Sequence, residues 1–322
     1  MLLAGGVQVV AGRRVWCSSM VAAMHALITG SSGFVGKWLA AHLREMGDEP
    51  VALGAGVDVG DAPAVRSAVN DARPDVIYHL AGFSSVGGSW DDPGEVFRVN
   101  ALGTLRVLEA AASCKPTPAV LVVSSSEVYG TVAENDLPIS EDSPLRPVTP
   151  YAASKVAAEF LGLQAFLGRG VPVMIVRAFN HVGPGQSRGF VVSALASRVI
   201  EAQVAHTKVI RVGNLSARRD FTDVRDVVRA YRMLMTGGVP GEVYNVCSGR
   251  DVAISSILRR LCEIAGIDLE VEVDPQLARP VDIPVLRGDG SRLASATGWV
   301  PEISLDDTLS AVLGDWREKL GA

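Results

Sequence analysis

A short apolar strand that runs straight into a glycine-punctuated turn and then a helix is the feature that most constrains this chain. Ala26-Leu27-Ile28-Thr29 leads into Gly30-Ser31-Ser32-Gly33-Phe34-Val35-Gly36, and apolar residues then recur at helical spacing over Val35–Gly47. The GxxGxxG spacing permits a tight turn, and a helix N-terminus placed there offers free N–H groups and a partial positive charge to a pyrophosphate. A turn that only packs helix against strand is the structural alternative. The strand–turn–helix context favours dinucleotide binding by Gly30, Gly33, Phe34, Val35 and Gly36.

The rest of the chain keeps the rhythm. Short apolar runs at Pro50–Leu53, Asp75–Leu80, Ala119–Ser124 and Val171–Arg177 alternate with helical patterns near Asp61–Ala72, Glu95–Ser113 and Tyr151–Gly168. Near-continuous apolar strands between helices predict a parallel sheet covered on both faces, an α/β doubly wound Rossmann fold. After Arg177 the pattern changes. Asn180–Gly189 reads as a polar, Gly-rich loop; helices are expected at Val191–Ala205, Val224–Met235, Ile254–Ala265 and Leu305–Leu320, and strands at Val209–Val212, Glu242–Val246 and Leu269–Val273. This predicts a smaller interleaved α/β lobe, with residues 25–178 plus 221–248 in the dinucleotide-binding domain and 179–220 plus 249–322 in the second lobe. In residues 1–24 the apolar run precedes Arg13-Arg14, the wrong order for a secretory signal, and this segment is expected to be a disordered extension.

Composition narrows the partners. With 322 residues, 48% of them hydrophobic and 20% charged, the chain is globular. Lys+Arg 30 against Asp+Glu 35 gives −5, which disfavours nucleic acid and anionic membrane as partners. Cys17, Cys114, Cys247 and Cys262 form no CxxC pair, so neither a disulfide framework nor structural zinc is expected, and a reducing cytoplasm suits the chain. No apolar run reaches membrane-spanning length.

Further candidates lie at the carboxyl ends of the strands, where such sheets bind ligands. Asp58-Val59 follows the second strand and is placed to meet an adenine; Leu80-Ala81-Gly82 ends the third. An acid at the end of the second strand would select NAD and an arginine NADP, but the position reads Leu53-Gly54-Ala55-Gly56. The choice between NAD and NADP stays open, with NADP slightly favoured. Tyr151 and Lys155 stand at i and i+4 on one helical face, and Ser125 and Glu127 follow the Ala119–Ser124 strand. Reducing a ketone requires a proton donor as hydride arrives. A phenol of ordinary pKa about 10 is poorly matched to that work at neutral pH, so a neighbouring ammonium is expected to lower it. YxxxK alone is common by chance; the order of glycine loop, strand-end serines and YxxxK is far more specific.

With these motifs stands a set of longer strings: RAFNHVGPGQ (residues 177–186), VGNLSARRDFTDVRDVVRAY (212–231), YNVCSG (244–249), RPVDIPVLRGD (279–289) and TGWVPEISL (297–305). From residue 26 onward the chain resembles the extended short-chain dehydrogenases/reductases, and within them the GDP-sugar branch of reductases and 4,6-dehydratases. The resemblance implies Tyr151 as proton donor, Lys155 holding the nicotinamide ribose, and Ser125 on the reacting oxygen. It also implies Asn100 tying helix to strand through backbone hydrogen bonds, His181 near the cofactor, and Asn180 on the sugar nucleotide. A diphosphate substrate calls for cations, and Arg218, Arg219, Arg279 and Arg287 are candidates. The resemblance selects Arg219, Arg279 and Asp282, with Ser84 and Val191 also lining the substrate; Arg218 is expected to pair with Asp220 or Asp223 at the surface.

The activity so implied is NAD(P)H-dependent reduction of the C4 ketone of GDP-4-keto-6-deoxy-mannose to GDP-rhamnose, in a homodimer. The alternative is GDP-mannose 4,6-dehydration with tightly bound NADP, for which Glu127 would be the extra acid/base. The FNHVGPGQ string resembles the reductases. A non-catalytic dinucleotide sensor is a distant alternative, because Tyr151 and Lys155 are both present.

Overall fold

In the computed structural model, residues 6–10, 13–17, 23–54, 56–274 and 283–321 are described. Strands β1 (Gly6–Val10) and β2 (Arg13–Cys17) pair antiparallel. This hairpin stands in the segment expected to be a disordered extension.

The dinucleotide-binding elements follow in the expected order: β3 (His25–Thr29), α1 (Phe34–Glu45), β4 (Glu49–Ala52), α2 (Ala62–Ala72) and β5 (Val76–His79). Next come α3 (Pro93–Phe97), α4 (Gly103–Ser113), β6 (Ala119–Ser125), α5 (Pro150–Arg169) and β7 (Val173–Ala178). The chain continues through β8 (Asn180–Val182), α6 (Val191–Ala205), β9 (Val209–Val212), β10 (Arg218–Asp223), α7 (Val224–Gly237) and β11 (Val243–Val246). It ends with β12 (Asp251–Ala253), α8 (Ile254–Ala265), β13 (Glu270–Val273), β14 (Val285–Leu286), α9 (Ser291–Thr297) and α10 (Leu305–Leu320).

Six strands form one parallel sheet in the order β11-β7-β6-β5-β3-β4. Side chains alternate across it, as strand geometry demands. Ile28, Tyr78, Leu121 and Val176 pack on one face with α1 and α7 residues such as Leu39, Leu43, Val227 and Tyr231. Leu27, Ile77, Val120 and Ile175 pack on the other with Val65, Val69, Val107 and Leu108. Leu293 and Trp299, late in the sequence, join the first of these cores. Strand order reverses beside β3, which opens the crevice where a doubly wound sheet binds its ligand.

Helix α5 shows how local sequence sets this geometry. Thr149 caps it by accepting from Ala152 N (3.1 Å), Pro150 opens it, and Gly170 ends it in the left-handed region at φ 70°. Small residues on its inner face let it lie close to the sheet; a Cβ at Gly162 would stand 3.3 Å from Val173 Cγ1.

Two expectations are corrected. The helix expected over Glu95–Ser113 is interrupted by a π-helical turn, Arg98–Leu102, between α3 and α4. The segment read as a loop from Asn180 begins with β8, which runs parallel to β10 with Asn180 opposite Phe221. The second sheet has the order β12-β10-β14, with β8 also on β10, and β9 pairs with β13. Three-residue strands carry too little periodic signal to be read from sequence; a partner strand distant in the chain defines them. The second hydrophobic core joins α6, α8 and α10 through Leu195, Val199, Leu258, Leu261, Leu309 and Leu313.

Candidate active site

The glycine loop has the close approaches its spacing predicts. Gly30 sits at φ 71°, and a Cβ there would stand 2.8 Å from Ala81 N. A Cβ on Gly36 would collide with the Gly30 carbonyl and stand 2.7 Å from Ser31 Cα. Gly33 N donates to Gly30 O at 3.0 Å, and Gly33 is the N-cap of α1. No side chain caps this helix end and no acid lies in its first turn, so its amides are not claimed by the protein's own carboxylates. The loop borders a cleft of about 490 Å³ lined by Gly30, Ser31, Ser32, Leu53, Asp58, Val59 and Ala81, among others. This donor set fits a dinucleotide pyrophosphate, and the cleft leads from the loop toward the Asp58-Val59 position. Asp58 accepts from Gly60 N (2.8 Å) and from Arg98 Nη1 (2.8 Å), and these bonds hold its carboxyl below the usual range. The cofactor-side residues Phe34 and Val35 open α1, and Leu80, Ala81 and Gly82 follow β5.

Behind the loop runs a buried hydrogen-bond chain. Thr29 Oγ1 accepts from Ala81 N (3.0 Å) and bonds His79 Nδ1 (2.8 Å); His79 Nε2 bonds Thr104 Oγ1 (3.0 Å), which donates to Asn100 O (2.6 Å). The Thr104 hydroxyl is committed to Asn100 O, so the imidazole proton is assigned to Nε2. Burial, and secondarily the Lys155 charge, push His79 down to about 3, so it is neutral and structural. Asn100, in the π turn, accepts from Phe83 N (2.8 Å) and donates to Ser154 Oγ (2.9 Å), which in turn donates to Tyr151 O (2.7 Å). It therefore ties the loop after β5 to α5, where the expectation was helix to strand.

Tyr151, Ser125 and Lys155 are brought together. The Tyr151 phenol is buried, and the Ser125 side chain acts on it directly. Ser125 also accepts from Glu127 N at 3.2 Å. Lys155 Nζ lies 5.9 Å from the Tyr151 ring centroid and donates to Val123 O at 2.9 Å. A Cβ on Gly82 would stand 3.3 Å from that ammonium. The electrostatics differ from expectation. Burial pushes Tyr151 up to about 12 against the smaller lowering effect of the Ser125 side chain, with the Glu127 charge raising it further; Lys155 is not what sets it. The ammonium sits over the ring and bonds a carbonyl, and it is itself lowered to about 8, chiefly by burial. The phenol is thus held protonated, the state a proton donor needs.

The substrate-side candidates are placed as follows. Asn180 and His181 lie on β8, His181 bonds Phe179 O through Nδ1 (3.2 Å), and its ring stacks on Phe34 at 6.2 Å between centroids. Burial lowers the His181 pKa. Val191 opens α6, and Ser84 is exposed in the loop after β5. Arg219 is buried on β10 and donates to Arg218 O at 2.9 Å. Arg218 pairs with Asp251 (2.5 Å), not with Asp220 or Asp223, and Arg287 lies 3.5 Å from the same Asp251. Asp220 instead accepts from Ser248 N, Gly249 N and Gly288 N, and Asp223 from Arg225. The antiparallel pairing of β10 with β12 sets Ala253 opposite Arg218 and Asp251 two residues along on the same face, a diagonal partner far away in sequence. Arg279 and Asp282 lie outside the described residues.

Residues 52–312 match the family described as GDP-mannose 4,6 dehydratase. The chain belongs to that family. It is 39% identical over 296 residues to the GDP-6-deoxy-D-mannose reductase of Pseudomonas aeruginosa, covering 91% of this chain and 97% of the relative. It is 33% identical to the GDP-6-deoxy-D-talose 4-dehydrogenase of Aggregatibacter actinomycetemcomitans, covering 85% and 92%. The structure of RMD from Pseudomonas aeruginosa complexed with NADPH superposes with a TM-score of 0.85 at 38% identity, covering 91% of this chain and 99% of that one. The fold is therefore the extended short-chain dehydrogenase/reductase fold, and the Rossmann reading holds.

Within this family frame, sequence reasoning gave no role to four polar residues that assemble the site: Thr29, Thr104, Ser154 and Glu159. Glu159 carried a readable signal, because it repeats the Tyr151–Lys155 interval once more along α5. The threonines gave none; their partners come from other strands and helices.

Proposed function

We propose that this chain reduces the C4 ketone of GDP-4-keto-6-deoxy-mannose to GDP-rhamnose, using NADPH in preference to NADH. The observation that carries the reading is the convergence at the carboxyl edge of the sheet of the buried Tyr151 phenol, which burial keeps protonated, the Lys155 ammonium over its ring and Ser125 at the end of β6. The reductase relative at 39% identity, matched over nearly its whole length, supports it. When bound, the reduced nicotinamide supplies hydride to the carbonyl carbon. Ser125 orients the carbonyl oxygen and Tyr151 delivers a proton to it. Lys155 holds the nicotinamide ribose. Gly30, Gly33 and Gly36 let the α1 N-terminus approach the pyrophosphate, and Asp58 and Val59 border the adenine. Asn180, Val191, Arg219, Arg279 and Asp282 grip the sugar nucleotide.

A second reading, GDP-mannose 4,6-dehydration, is favoured by one observation: Glu127, whose backbone N donates to the Ser125 hydroxyl at 3.2 Å, brings a carboxylate-bearing residue to the turn after β6, and its charge raises the Tyr151 phenol. The two are separated by stoichiometry. Incubation with GDP-4-keto-6-deoxy-mannose and NADPH is expected to consume one NADPH per product, followed by reduced-nicotinamide absorbance. Keto-sugar formation from GDP-mannose without added reductant would overturn reduction. NMR of the product distinguishes GDP-rhamnose from its C4 epimer, the 6-deoxy-talose. We also infer a cytoplasmic homodimer formed through α4 and α5, where Phe160 (60% exposed) and Leu167 (72%) stand seven residues apart on one exposed helical face.

A further inference from the structure

The catalytic face of α5 has a third member that the chemistry above does not use. Tyr151, Lys155 and Glu159 recur every four residues and stack along one side of the helix. Each meets the end of β6. Tyr151 meets the Ser125 hydroxyl, Lys155 donates to Val123 O (2.9 Å), and Glu159 Oε1 accepts from Ser124 Oγ (2.5 Å). At the end of β6, Ser124 bonds Glu159 while Ser125 serves Tyr151, so the two serines serve two different groups.

Glu159 is also clamped from β7. Arg177 Nε donates to its Oε1 (3.0 Å) and Arg177 Nη2 to its Oε2 (2.8 Å), a two-pronged pair buried at both ends. Arg177 Nη1 continues to the Tyr129 hydroxyl (3.0 Å) and the Glu141 carbonyl (2.9 Å), and Tyr129 donates to Asn245 Oδ1 on β11 (2.7 Å). The network thus joins β6, α5, β7 and β11 directly beneath the site. A carboxylate so deeply buried persists only with its lone pairs satisfied, and here they are.

We propose that Glu159 is a positioning residue: clamped by Arg177 and Ser124, it fixes the Tyr151–Lys155 face of α5 against β6 and supplies the counter-charge for the Lys155 ammonium. This deepens the reading of Tyr151 and Lys155 given above and rests on it. Tyr151 and Glu159 on α5 and neutral His79 on β5 face Lys155; Glu127 after β6 and Tyr231 on α7 act on Tyr151, and Arg177 on β7 is paired with Glu159. Burial lowers Lys155 to about 8, and Glu159 is the group that opposes that fall. Without its charge the ammonium would lose its proton at still lower pH.

The test needs neither substrate nor cofactor. The chain has five lysines, so Lys155 is followed by NMR of ε-13C-labelled lysine, assigned by its loss in Lys155→Met. Its midpoint is expected near pH 8 in the wild type and about one pH unit lower in Glu159→Gln. Ser124→Ala, which removes a hydrogen bond and leaves the charge, is expected to keep the wild-type midpoint. If Glu159→Gln does not fold with Arg177 left unpaired, the charge-neutral Glu159→Gln/Arg177→Met pair decides, with a smaller shift in the same direction. A wild-type midpoint at the ordinary lysine value of about 10.4, or an unmoved midpoint in folded Glu159→Gln or Glu159→Gln/Arg177→Met, overturns the proposal. In turnover, the alkaline limb of the kcat profile is expected to move with the NMR midpoint. Loss of the proposed reductase activity in the wild type would contradict the functional reading and leave the lysine titration interpretable.

Discussion

Gly36→Ala tests the physical basis of cofactor binding at a single atom. The added Cβ would collide with the Gly30 carbonyl and stand 2.7 Å from Ser31 Cα and 2.9 Å from Ser31 C. All three contacts are backbone, so no side chain can rotate away. Either the first turn of α1 lifts from the loop or the Gly30–Ser31 peptide moves. Forcing one carbon into such a packed site costs about 1–3 kcal/mol. The atoms that must shift are those that would bear on the pyrophosphate, so most of this cost is expected to appear in binding. At about 1.4 kcal/mol per decade, it corresponds to a dinucleotide Kd raised about 10- to 100-fold. The control is Gly314→Ala in α10, where the new Cβ meets nothing within 4 Å. There, better helix propensity is expected to add about 0.5–1 kcal/mol of stability. Fluorescence titration with NADPH and NADH, with thermal unfolding of both variants alongside, reads the two effects separately. An alanine at position 36 with wild-type dinucleotide affinity would refute the close-approach argument.

Three other outcomes follow from the same structure. Tyr151→Phe removes the proton donor and little else, so kcat should fall about 10²- to 10⁴-fold while dinucleotide Kd stays near wild type; substantial turnover in this variant would remove Tyr151 from its role. His79 is buried neutral with a folded pKa of about 3, well below the unfolded value of about 6.5. The unfolded chain therefore binds the extra proton first, and stability is lost as pH falls below about 6.5, by about 1.4 kcal/mol per pH unit for this one group. The slope of unfolding free energy against pH between about 6 and 4 should be smaller in His79→Gln, and an equal slope would mean that His79 does not titrate as placed. Leu167→Asp with Phe160→Asp should convert a dimer to monomers in light scattering; a variant of unchanged mass would move the interface elsewhere.

The site was legible in the sequence to an uneven degree, and the unevenness has a physical cause. Gly30, Gly33, Gly36, Tyr151, Lys155 and Ser125 were readable because local rules fix them: a turn needs particular φ values, and an i, i+4 pair must share a helical face. The sign of the Tyr151 pKa shift was not readable. The expected lowering by Lys155 presupposed an ammonium at the hydroxyl, whereas the packed helix places it over the ring and bonds it to Val123 O. Burial then dominates, and burial is a property of everything packed around the group. Arg218 shows the same limit, since its partner Asp251 is a diagonal neighbour that the β10–β12 pairing brings to the same face of the strand.

What the chain by itself determined is the alternation of apolar strands with helices, and with it the parallel sheet, the glycine loop at the end of the first sheet strand and the helix that carries tyrosine and lysine. Each of these depends on contacts within a few residues. The folded molecule alone decided which threonines bond the buried His79 ring, where the π turn puts Asn100, and that Arg177 clamps Glu159 beneath the site. Those partners are separated by 17 to 54 residues, for example Asn100 from Phe83 and from Ser154. Only a sheet that assembles strands and helices from distant parts of the chain brings them within hydrogen-bonding distance.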